Sequence, residues 1–282
     1  GAQGDPRVKR AAVILAGGAG TRLRPLSSDE NPKQFLKIFD GRSLMQLTYG
    51  RLARLLAPGE IFVSTNEQYR AKALEHLPEL PADNVIAEPA RRNTAPAIAL
   101  CTFSIEERLG PCTVAFLPAD HFIADEAEFV RVLGRAFAFA EANDDIVTIG
   151  ITPTEPNTGY GYLELGEELA PEVIRLRRFT EKPDLATAES FLRAGNFAWN
   201  GGIFVWRSEV FRRELAKAAP EIATVTQANY ASMPSISIDY ALMEKAPRVA
   251  TIRGDFGWSD VGSFEALAKV GVVFADFGVP RR

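Results

Sequence analysis

The stretch Leu15-Ala16-Gly17-Gly18-Ala19-Gly20-Thr21-Arg22-Leu23 follows an apolar run that begins at Ala12, and Lys33 lies shortly after it. The apolar run predicts a buried strand, and the glycines predict that the strand gives way to a loop. Glycines let backbone N–H groups converge on an anion, while Thr21, Arg22 and Lys33 add a hydroxyl and two cations. The sequence therefore predicts a strand that leads into a phosphate-binding loop, as in a nucleotide triphosphate site.

Glycine-rich loops also occur without any ligand, as tight turns between a strand and a helix. This loop lacks the Gly-Lys-Ser/Thr ending of a Walker sequence. Residues 17–20 also lack the G-x-G-x-x-G spacing of a dinucleotide fingerprint. The loop alone thus indicates neither of these two nucleotide-binding classes.

The composition is that of an ordinary globular protein, with 282 residues, 46% of them apolar and 24% charged. A net charge of −4 gives no basic footprint, so we expect neither a nucleic-acid nor a membrane partner. No apolar run approaches the roughly 20 residues of a membrane span, and residues 1–10 are polar. Cys101 and Cys112 form no C-x-x-C pair. These features predict a cytoplasmic protein with reduced thiols and no zinc site.

Short apolar runs alternate with helical patterns through the first half of the chain. Strands are predicted over residues 11–16, 61–64, 85–88, 113–117 and 146–149, and helices over residues 43–56, 68–77, 95–109 and 126–142. Such alternation is typical of parallel strands joined by helices that cover both faces of a sheet. We therefore expect an α/β fold with a Rossmann-like, mixed but mainly parallel sheet.

The second half of the chain is less regular. Strands are predicted over residues 160–165, 173–180 and 202–206, helices over residues 184–194 and 208–218, and a further helix near Ser237. No repeat, low-complexity stretch or obvious linker divides the chain. We expect one domain over residues 1–282, with halves at about 11–150 and 151–270 that complete one mixed sheet.

Several polar side chains follow the carboxyl ends of the predicted strands. Glu88 ends the third strand, Asp120 follows the fourth, and Glu181 and Lys182 end a later one. Residues 17–22 follow the first strand in the same way. Ligands of open α/β sheets bind beyond these ends, so the sequence predicts that these residues belong to one site.

Two aspartates are candidates for binding a metal ion. Asp120 closes a buried strand, and Asp260 lies in the segment Gly-Trp-Ser-Asp-Val-Gly-Ser-Phe over residues 257–264. Mg²⁺ prefers such oxygen ligands, but an aspartate at these places serves equally well as a helix cap. Of the two histidines, we expect His121 to be a structural neighbour and His76 to lie near the end of a surface helix.

Six separated motifs resemble those of one enzyme family. They are residues 17–27 (GGAGTRLRPLS), 32–36 (PKQFL), 88–96 (EPARRNTAP), 157–162 (NTGYGY), 179–183 (FTEKP) and 199–204 (WNGGIF). In this order they resemble the sugar-1-phosphate nucleotidyltransferases, most closely the mannose-1-phosphate guanylyltransferases (GDP-mannose pyrophosphorylases). The resemblance extends from about Ala11 to Leu267, so it covers nearly the whole chain.

The resemblance implies that GMP is transferred from GTP to mannose 1-phosphate, giving GDP-mannose and pyrophosphate with Mg²⁺ as cofactor. It implies that Arg22 and Lys33 are catalytic and that Asp120 and Asp260 hold Mg²⁺. The implied nucleotide-binding residues are Leu15, Ala16, Gly17, Gly18, Gly20, Thr21, Glu88, Asn93 and Thr94. The implied sugar-phosphate-binding residues are Gly159, Tyr160, Glu181, Lys182 and Asn200.

The implied reaction needs no proton abstraction, because the attacking sugar-phosphate oxygen is already anionic at neutral pH. Positioning and charge neutralisation then carry the catalysis, and Lys33 is expected near the α-phosphate. The Glu88 carboxylate can accept hydrogen bonds from guanine N1–H and the N2 amino group, a donor pair that adenine, thymine and uracil lack. The alternative for Glu88 is an electrostatic interaction with the N-terminus of the next helix.

Two departures from the family pattern stand out. Arg24 occupies a position where many bacterial mannose-1-phosphate guanylyltransferases have Trp, and the chain stops soon after Phe264. We therefore expect no C-terminal β-helical or isomerase-type extension, and the resemblance leaves a homodimer open. Two other functions stay open: a nucleotidyltransferase that uses glucose 1-phosphate with dTTP or UTP, and a non-catalytic regulator that binds a nucleotide sugar. The loop at Glu88 discriminates against the first of these.

Overall fold

A computed structural model describes residues 9–278 of the chain. In the first half, four strands alternate with four helices. The strands are β1 (Lys9–Leu15), β2 (Ile61–Asn66), β3 (Val85–Glu88) and β4 (Cys112–Pro118). The helices are α1 (Leu44–Leu52), α2 (Arg70–His76), α3 (Thr94–Leu109) and α4 (Glu126–Ala142).

Seven further strands complete the described chain. They are β5 (Phe122–Ile123), β6 (Ile146–Ile151), β7 (Tyr162–Ala170), β8 (Val173–Thr180), β9 (Phe197–Arg207), β10 (Val249–Gly254) and β11 (Trp258–Ser259). Of these, β5 precedes α4 and the other six follow it. The helices are α5 (Leu185–Ala194), α6 (Ser208–Ala218) and α7 (Phe264–Lys269), with a π-helical turn at Asp239–Met243.

Nine strands form one mixed sheet in the order β3-β2-β1-β4-β9-β6-β10-β8-β7. The pairs β1–β2, β2–β3, β1–β4 and β6–β10 are parallel. Strands β9 and β8 run against the other seven, because β9 pairs antiparallel with β4 and β6 and β8 pairs antiparallel with β10 and β7. The predicted mixed α/β sheet is confirmed, with seven of its nine strands running in the same direction. Strands β5 and β11 form a separate two-stranded sheet.

Helices cover both faces of the large sheet, as the alternation of side chains in β1 shows. Ala12 and Ile14 belong to the core on one face, together with apolar residues of α1, α2, α4 and α5. Ala11 and Val13 belong to the core on the other face, together with apolar residues of α3 and α6. A strand buried on both faces reads as a continuous apolar run, and this explains why β1 is visible in the sequence.

The helix starts follow ordinary capping chemistry. Ser43 accepts a hydrogen bond from the backbone N–H of Gln46, whose side chain in turn accepts from the N–H of Ser43. Asp125 and Asp184 accept from backbone N–H groups at the starts of α4 and α5. Each such cap stabilises a helix by about 1 kcal/mol.

The bounds or type of three predicted elements need correction, and one strand was not predicted. Strand β9 begins at Phe197, so residues 199–201 lie inside it and not in a loop before it. Strand β7 begins at Tyr162, two residues later than predicted. The helix predicted near Ser237 is the π-helical turn. Strand β10 was not predicted, because Thr251 and Arg253 interrupt its apolar run and its pairing with β6 and β8 is a long-range contact.

A smaller apolar cluster lies beside the first loop. Leu23 and Leu36 pack there with Val261 and with Leu267 of α7. The segment that follows β1 and the last described helix therefore share one core. Within residues 9–278, no helix has the length and apolar character needed to cross a membrane.

Candidate active site

A pocket of about 290 Å³ opens beyond the carboxyl ends of β1 and β4. It is lined by Gly20, Thr21, Arg22, Leu23, Lys33, Asp120, His121, Asp260 and Gly262. Six of these were candidates from the sequence: Gly20, Thr21, Arg22, Lys33, Asp120 and Asp260. The structure therefore brings the candidate phosphate-binding, catalytic and metal-binding side chains to one place.

Gly20 occupies a position where no other residue fits well. Its φ of +61° lies in the left-handed region, where a side chain is strained. A Cβ on Gly20 would also lie 2.6 Å from the Cβ of Lys33 and 2.8 Å from its backbone nitrogen. Gly20 thus lets the loop pass directly against Lys33.

Gly18 is different, since a Cβ there would meet no atom of the described chain within 4 Å. Nothing in the protein itself explains why residue 18 has no side chain. An open position of this kind in a glycine-rich loop is available for close approach of a ligand to the backbone.

Gln34 holds the glycine-rich loop in shape, a role that sequence reasoning missed. Its side chain is buried, and its amide nitrogen donates to the carbonyl oxygens of Ala16 and Gly18, each at 3.1 Å. Thr65 donates a second hydrogen bond to the Ala16 carbonyl at 3.0 Å. Two carbonyls of the loop are thus fixed by side chains of the protein itself.

Lys33 lies between the two candidate metal-binding aspartates. Its ammonium donates to Oδ2 of Asp120 at 3.2 Å and to the backbone carbonyl of Asp260. The Lys33 side chain is only 8% exposed, whereas that of Asp120 is 36% exposed, so the carboxylate opens toward the pocket. Burial alone would raise the pKa of Asp120, but the positive charge of Lys33 holds it below its ordinary value.

Asp260 is oriented by two hydrogen bonds to the same carboxylate oxygen. The hydroxyl of Tyr160 donates to Oδ1 at 2.9 Å, and the backbone N–H of Gly262 donates to it at 3.3 Å. Burial, followed by the charge of Asp260, raises the pKa of Tyr160, so Tyr160 stays a donor at neutral pH. Tyr160, a predicted sugar-side residue, therefore also positions a candidate metal ligand.

His121 lines the pocket as a neutral side chain. The indole Nε1–H of Trp258, which can only donate, lies 3.1 Å from Nδ1 of His121. The proton of a neutral imidazole must then be on Nε2, which lies 3.8 Å from Asp120 Oδ1. Burial lowers the pKa of His121; the negative charge of Asp120 opposes this effect, and the positive charge of Lys33 adds to it. These contacts agree with a structural role and not with a general base.

The other histidine, His76, lies at the end of a helix as predicted, since it is the last residue of α2. It is nevertheless buried there, with only 7% of the residue exposed. Its Nδ1 lies 2.9 Å from Oγ of Ser43, and its ring packs edge-on against Phe35. His76 supports the segment that carries Lys33 from behind.

Glu88 ends β3 next to the start of the glycine-rich loop. A Cβ on Gly17 would lie 3.5 Å from Oε1 of Glu88, and Ser64 donates to that oxygen at 3.2 Å. Burial raises the pKa of Glu88, while the Ser64 hydrogen bond and the charge of Arg91 oppose the rise. Leu15 and Ala16 are fixed alongside, since their backbones bond with Ala119 and Ser64.

Asn93 and Thr94 begin α3 and link it to a later segment. Asn93 has a φ of +65°, and its side chain accepts from the N–H of Thr94 at 2.8 Å. The Thr94 hydroxyl accepts from the backbone N–H of Ile238 at 2.8 Å. In this structure the Thr94 hydroxyl therefore fixes the segment that leads into the π-helical turn.

The sugar-side candidates lie outside the lining of the pocket, on β7 to β9 and the loops that join them. Glu181 and Lys182 follow β8, and Nζ of Lys182 lies 3.6 Å from Oε1 of Glu181. Lys182 has a φ of +41°. Asn200 lies within β9, and Gly159 is in the turn before β7, where its N–H donates to Asn157. Tyr160 connects this region to Asp260.

Within residues 9–278, no three His, Cys, Asp or Glu side chains are grouped so that they could hold a metal ion by themselves. Asp120 and Asp260 are two carboxylates on one pocket. Mg²⁺ is commonly held by one or two carboxylates, with waters and substrate phosphates completing its shell. The donor set of this pocket fits that mode of binding.

The chain belongs to the nucleotidyl transferase family, whose family model matches residues 11–275. This family generally uses a divalent metal ion. Among solved structures, a mannose-1-phosphate geranyltransferase from Thermus thermophilus superimposes with a TM-score of 0.86 and 34% sequence identity. That alignment covers 93% of this chain and 79% of the other.

Curated relatives extend the likeness. The xanthan biosynthesis protein XanB of Xanthomonas campestris pv. campestris is 41% identical over 277 residues, covering 92% of this chain and 58% of XanB. The mannose-1-phosphate guanylyltransferase RfbM of Salmonella typhimurium is 39% identical, covering 90% of this chain and 57% of RfbM. The chain thus spans somewhat more than half the length of these two relatives.

Proposed function

We propose that this protein transfers GMP from GTP to mannose 1-phosphate, which yields GDP-mannose and pyrophosphate. The observation that carries the proposal is the position of Lys33, whose ammonium contacts Asp120 and Asp260 in a pocket lined by the glycine-rich loop. The resemblance to proteins named mannose-1-phosphate guanylyltransferase supports the choice of substrates.

In the proposed step an oxygen of the sugar phosphate attacks the α-phosphorus of GTP. A new P–O bond forms, the bond from the α-phosphorus to the bridging oxygen breaks, and pyrophosphate leaves with its electron pair. No proton is transferred, which agrees with a neutral His121. Lys33 stabilises the charge on the transferring group, and Thr21 and Arg22 hold the remaining phosphates.

We propose that Asp120 and Asp260 hold Mg²⁺ when substrates are bound. A bound Mg²⁺ would neutralise phosphate charge and orient the triphosphate. The hydrogen bonds of Asp260 with Tyr160 and Gly262 pre-set the direction of its carboxylate. Lys33 supplies a positive charge beside Asp120.

We propose that Glu88 reads guanine, with the backbone of residues 15–17 beside it. Its carboxylate is held by Ser64 and lies next to Gly17, where the absence of a side chain leaves room for a base. Lys182 is proposed to meet the sugar phosphate, and Glu181 and Asn200 the sugar hydroxyls. Reduced, buried Cys101 and Cys112 agree with a cytoplasmic location, which is part of the proposal.

The test is pyrophosphate release with mannose or glucose 1-phosphate, each paired with GTP or dTTP. We expect the largest kcat/KM for mannose 1-phosphate with GTP. A preference for glucose 1-phosphate with dTTP would identify a different sugar nucleotidyltransferase. Binding of GTP without turnover in any pairing would support a regulator in place of an enzyme.

A further inference from the structure

The side-chain amide of Asn200 is held in one orientation. Its Nδ2 donates to Oδ1 of Asp239 at 2.8 Å, and its Oδ1 accepts from the backbone N–H of Gly202 at 3.1 Å. A reversed amide would place its oxygen against the carboxylate and its NH₂ group against the N–H. Both contacts would then be repulsive, so Asp239 and Gly202 together determine which way Asn200 faces.

One donor of Asn200 is left over by this arrangement. The NH₂ group has two hydrogens, and within residues 9–278 it makes a single hydrogen bond, to Asp239. Asn200 is partly exposed on β9, on the side where the sugar-phosphate candidates lie. The second N–H is therefore available to a hydroxyl oxygen of a ligand.

Asp239 is itself anchored firmly. It begins the π-helical turn Asp239–Met243, and such turns often occur at functional sites. The residues just before it are tied to the start of α3, because Ile238 N–H donates to Thr94 and Ile236 accepts from the N–H of Ala95. The backbone that leads into Asp239 is thus held by contacts that do not depend on Asn200.

The carboxyl group of Asp239 has a raised pKa. Burial raises its pKa to about 6, the hydrogen bond from Asn200 opposes the rise, and the negative charges of Glu181 and Glu244 contribute to it. Above this pKa the group can only accept hydrogen bonds. In its ionised form it therefore fixes the orientation of the Asn200 amide.

We propose that Asp239 is a positioning residue for sugar recognition: by accepting a hydrogen bond from Asn200, it directs the second amide N–H of Asn200 to a hydroxyl of the sugar. This inference rests on the proposed function, since it supplies a reason for Asn200 to be a sugar-binding residue. Neither the motif at residues 199–204 nor the one at residues 179–183 includes Asp239.

The experiment compares the wild-type protein with Asp239→Ala, Asp239→Asn and the control Glu244→Gln, which removes an exposed neighbouring charge. We expect Asp239→Ala to raise the KM for mannose 1-phosphate about tenfold to a hundredfold, because a charge-assisted hydrogen bond is lost. The KM for GTP should stay within about twofold. Asp239→Asn keeps an acceptor oxygen for Asn200, so it should recover most of the affinity for the sugar phosphate.

A second measurement identifies the hydroxyl. Deoxy analogues of mannose 1-phosphate lacking the 2-, 3-, 4- or 6-hydroxyl are compared in the wild type and in Asp239→Ala. We expect Asp239→Ala to raise the KM for one analogue far less than it raises the KM for mannose 1-phosphate. If Asp239→Ala does not fold, Asp239→Ser, which is too short to reach Asn200, takes its place.

Three outcomes would overturn the inference. The first is an unchanged KM for mannose 1-phosphate in Asp239→Ala. The second is an equal rise of this KM in Asp239→Ala and Asp239→Asn. The third is that the effects of Asp239→Ala and of the missing hydroxyl on KM are additive for all four deoxy analogues. A wild-type protein that turns over no sugar phosphate would instead overturn the proposed function, and with it this inference. An active wild type with an insensitive Asp239→Ala would overturn the inference alone.

Discussion

At the scale of single residues, Lys33 is a buried cation whose ammonium group is hydrogen-bonded. It is 6% exposed, and its ammonium contacts the Asp120 carboxylate and the Asp260 carbonyl. In the described residues, Lys33 thus forms an ion pair with Asp120, which is a candidate metal ligand of the pocket. A buried cation in this position is suited to phosphoryl transfer, in which negative charge shifts during the reaction.

Replacing Lys33 with Ala is therefore expected to lower kcat more than it weakens GTP binding. Loss of one such contact costs roughly 3 to 4 kcal/mol in the transition state, or about a hundredfold to a thousandfold in rate. Steady-state kinetics with GTP titration measure both quantities. Lys37→Ala, an exposed lysine on the same segment, is the control and should behave as the wild type. A kcat for Lys33→Ala within a factor of two of the wild type would remove Lys33 from the mechanism.

Glu88 allows a second test at this scale, because its two carboxylate oxygens match two guanine donors. In Glu88→Gln an amide cannot accept from both donors at once, which leaves one poorly paired at a cost of about 1 to 3 kcal/mol. The measured quantity is the ratio of kcat/KM for GTP to that for ITP, which lacks the N2 amino group. The wild type should favour GTP, and the variant should narrow the ratio.

The control for that experiment is Glu107→Gln, an exposed carboxylate on α3, which should keep the wild-type ratio. An unchanged ratio in Glu88→Gln would mean that other groups select guanine. Glu88 would then serve to support the loop through Ser64 and Gly17.

At the scale of elements, the glycine-rich loop and the Lys33 segment form a single unit. Gly20 passes within contact distance of Lys33, Ser27 donates to the Gly20 carbonyl at 2.6 Å, and Gln34 donates to the loop from behind. The loop was recognisable in the sequence because its glycines follow an apolar strand. The dependence of the loop on Gln34 was not recognisable in the sequence. A glutamine 14 residues after Gly20 carries no local signal of a long-range hydrogen bond.

Gly20→Ala is expected to damage this unit. The left-handed φ and the close approach to Lys33 should together destabilise the protein by about 1 to 3 kcal/mol, seen as a lower Tm, and should displace Lys33 and lower kcat. Gly41→Ala is the control: with a φ of +76° and no neighbouring atom, it measures the cost of backbone strain alone. By contrast, Gly18→Ala should leave Tm unchanged and raise the KM for GTP. Equal Tm and kcat in Gly20→Ala and the wild type would contradict the close packing.

The sequence predicted the strands that are buried on both faces, and with them the carboxyl ends that carry Glu88 and Asp120. Its predictions were weaker where local pattern and tertiary contact diverge. The polar side chains of Thr251 and Arg253 concealed β10, and the burial of His76 depends on Ser43 and Phe35 from another part of the chain. Asp239 carries no motif, because its partner Asn200 lies 39 positions away.

At the scale of the whole molecule, the site exists because distant segments meet. Lys33 lies 87 positions before Asp120 and 227 positions before Asp260. Pairing of β1 with β4 brings the glycine-rich loop next to Asp120. The two-stranded sheet of β5 and β11 then holds the Asp260 segment against the residues that follow Asp120.

This convergence makes the two aspartates a joint test of fold and function. Asp120→Asn and Asp260→Asn should each reduce Mg²⁺-dependent activity on the order of a hundredfold or more, because an amide lacks the charge that holds a hard cation. The fold should survive, since Asn at 260 keeps an oxygen for Tyr160 and Gly262. Rates across a Mg²⁺ titration, together with Tm, are the measurements.

Asp125→Asn is the matched control, because Asp125 caps α4 and asparagine caps equally well. If either pocket variant keeps near wild-type activity at low Mg²⁺ while Asp125→Asn does the same, that aspartate is structural, and the proposed metal site must be assigned to other groups.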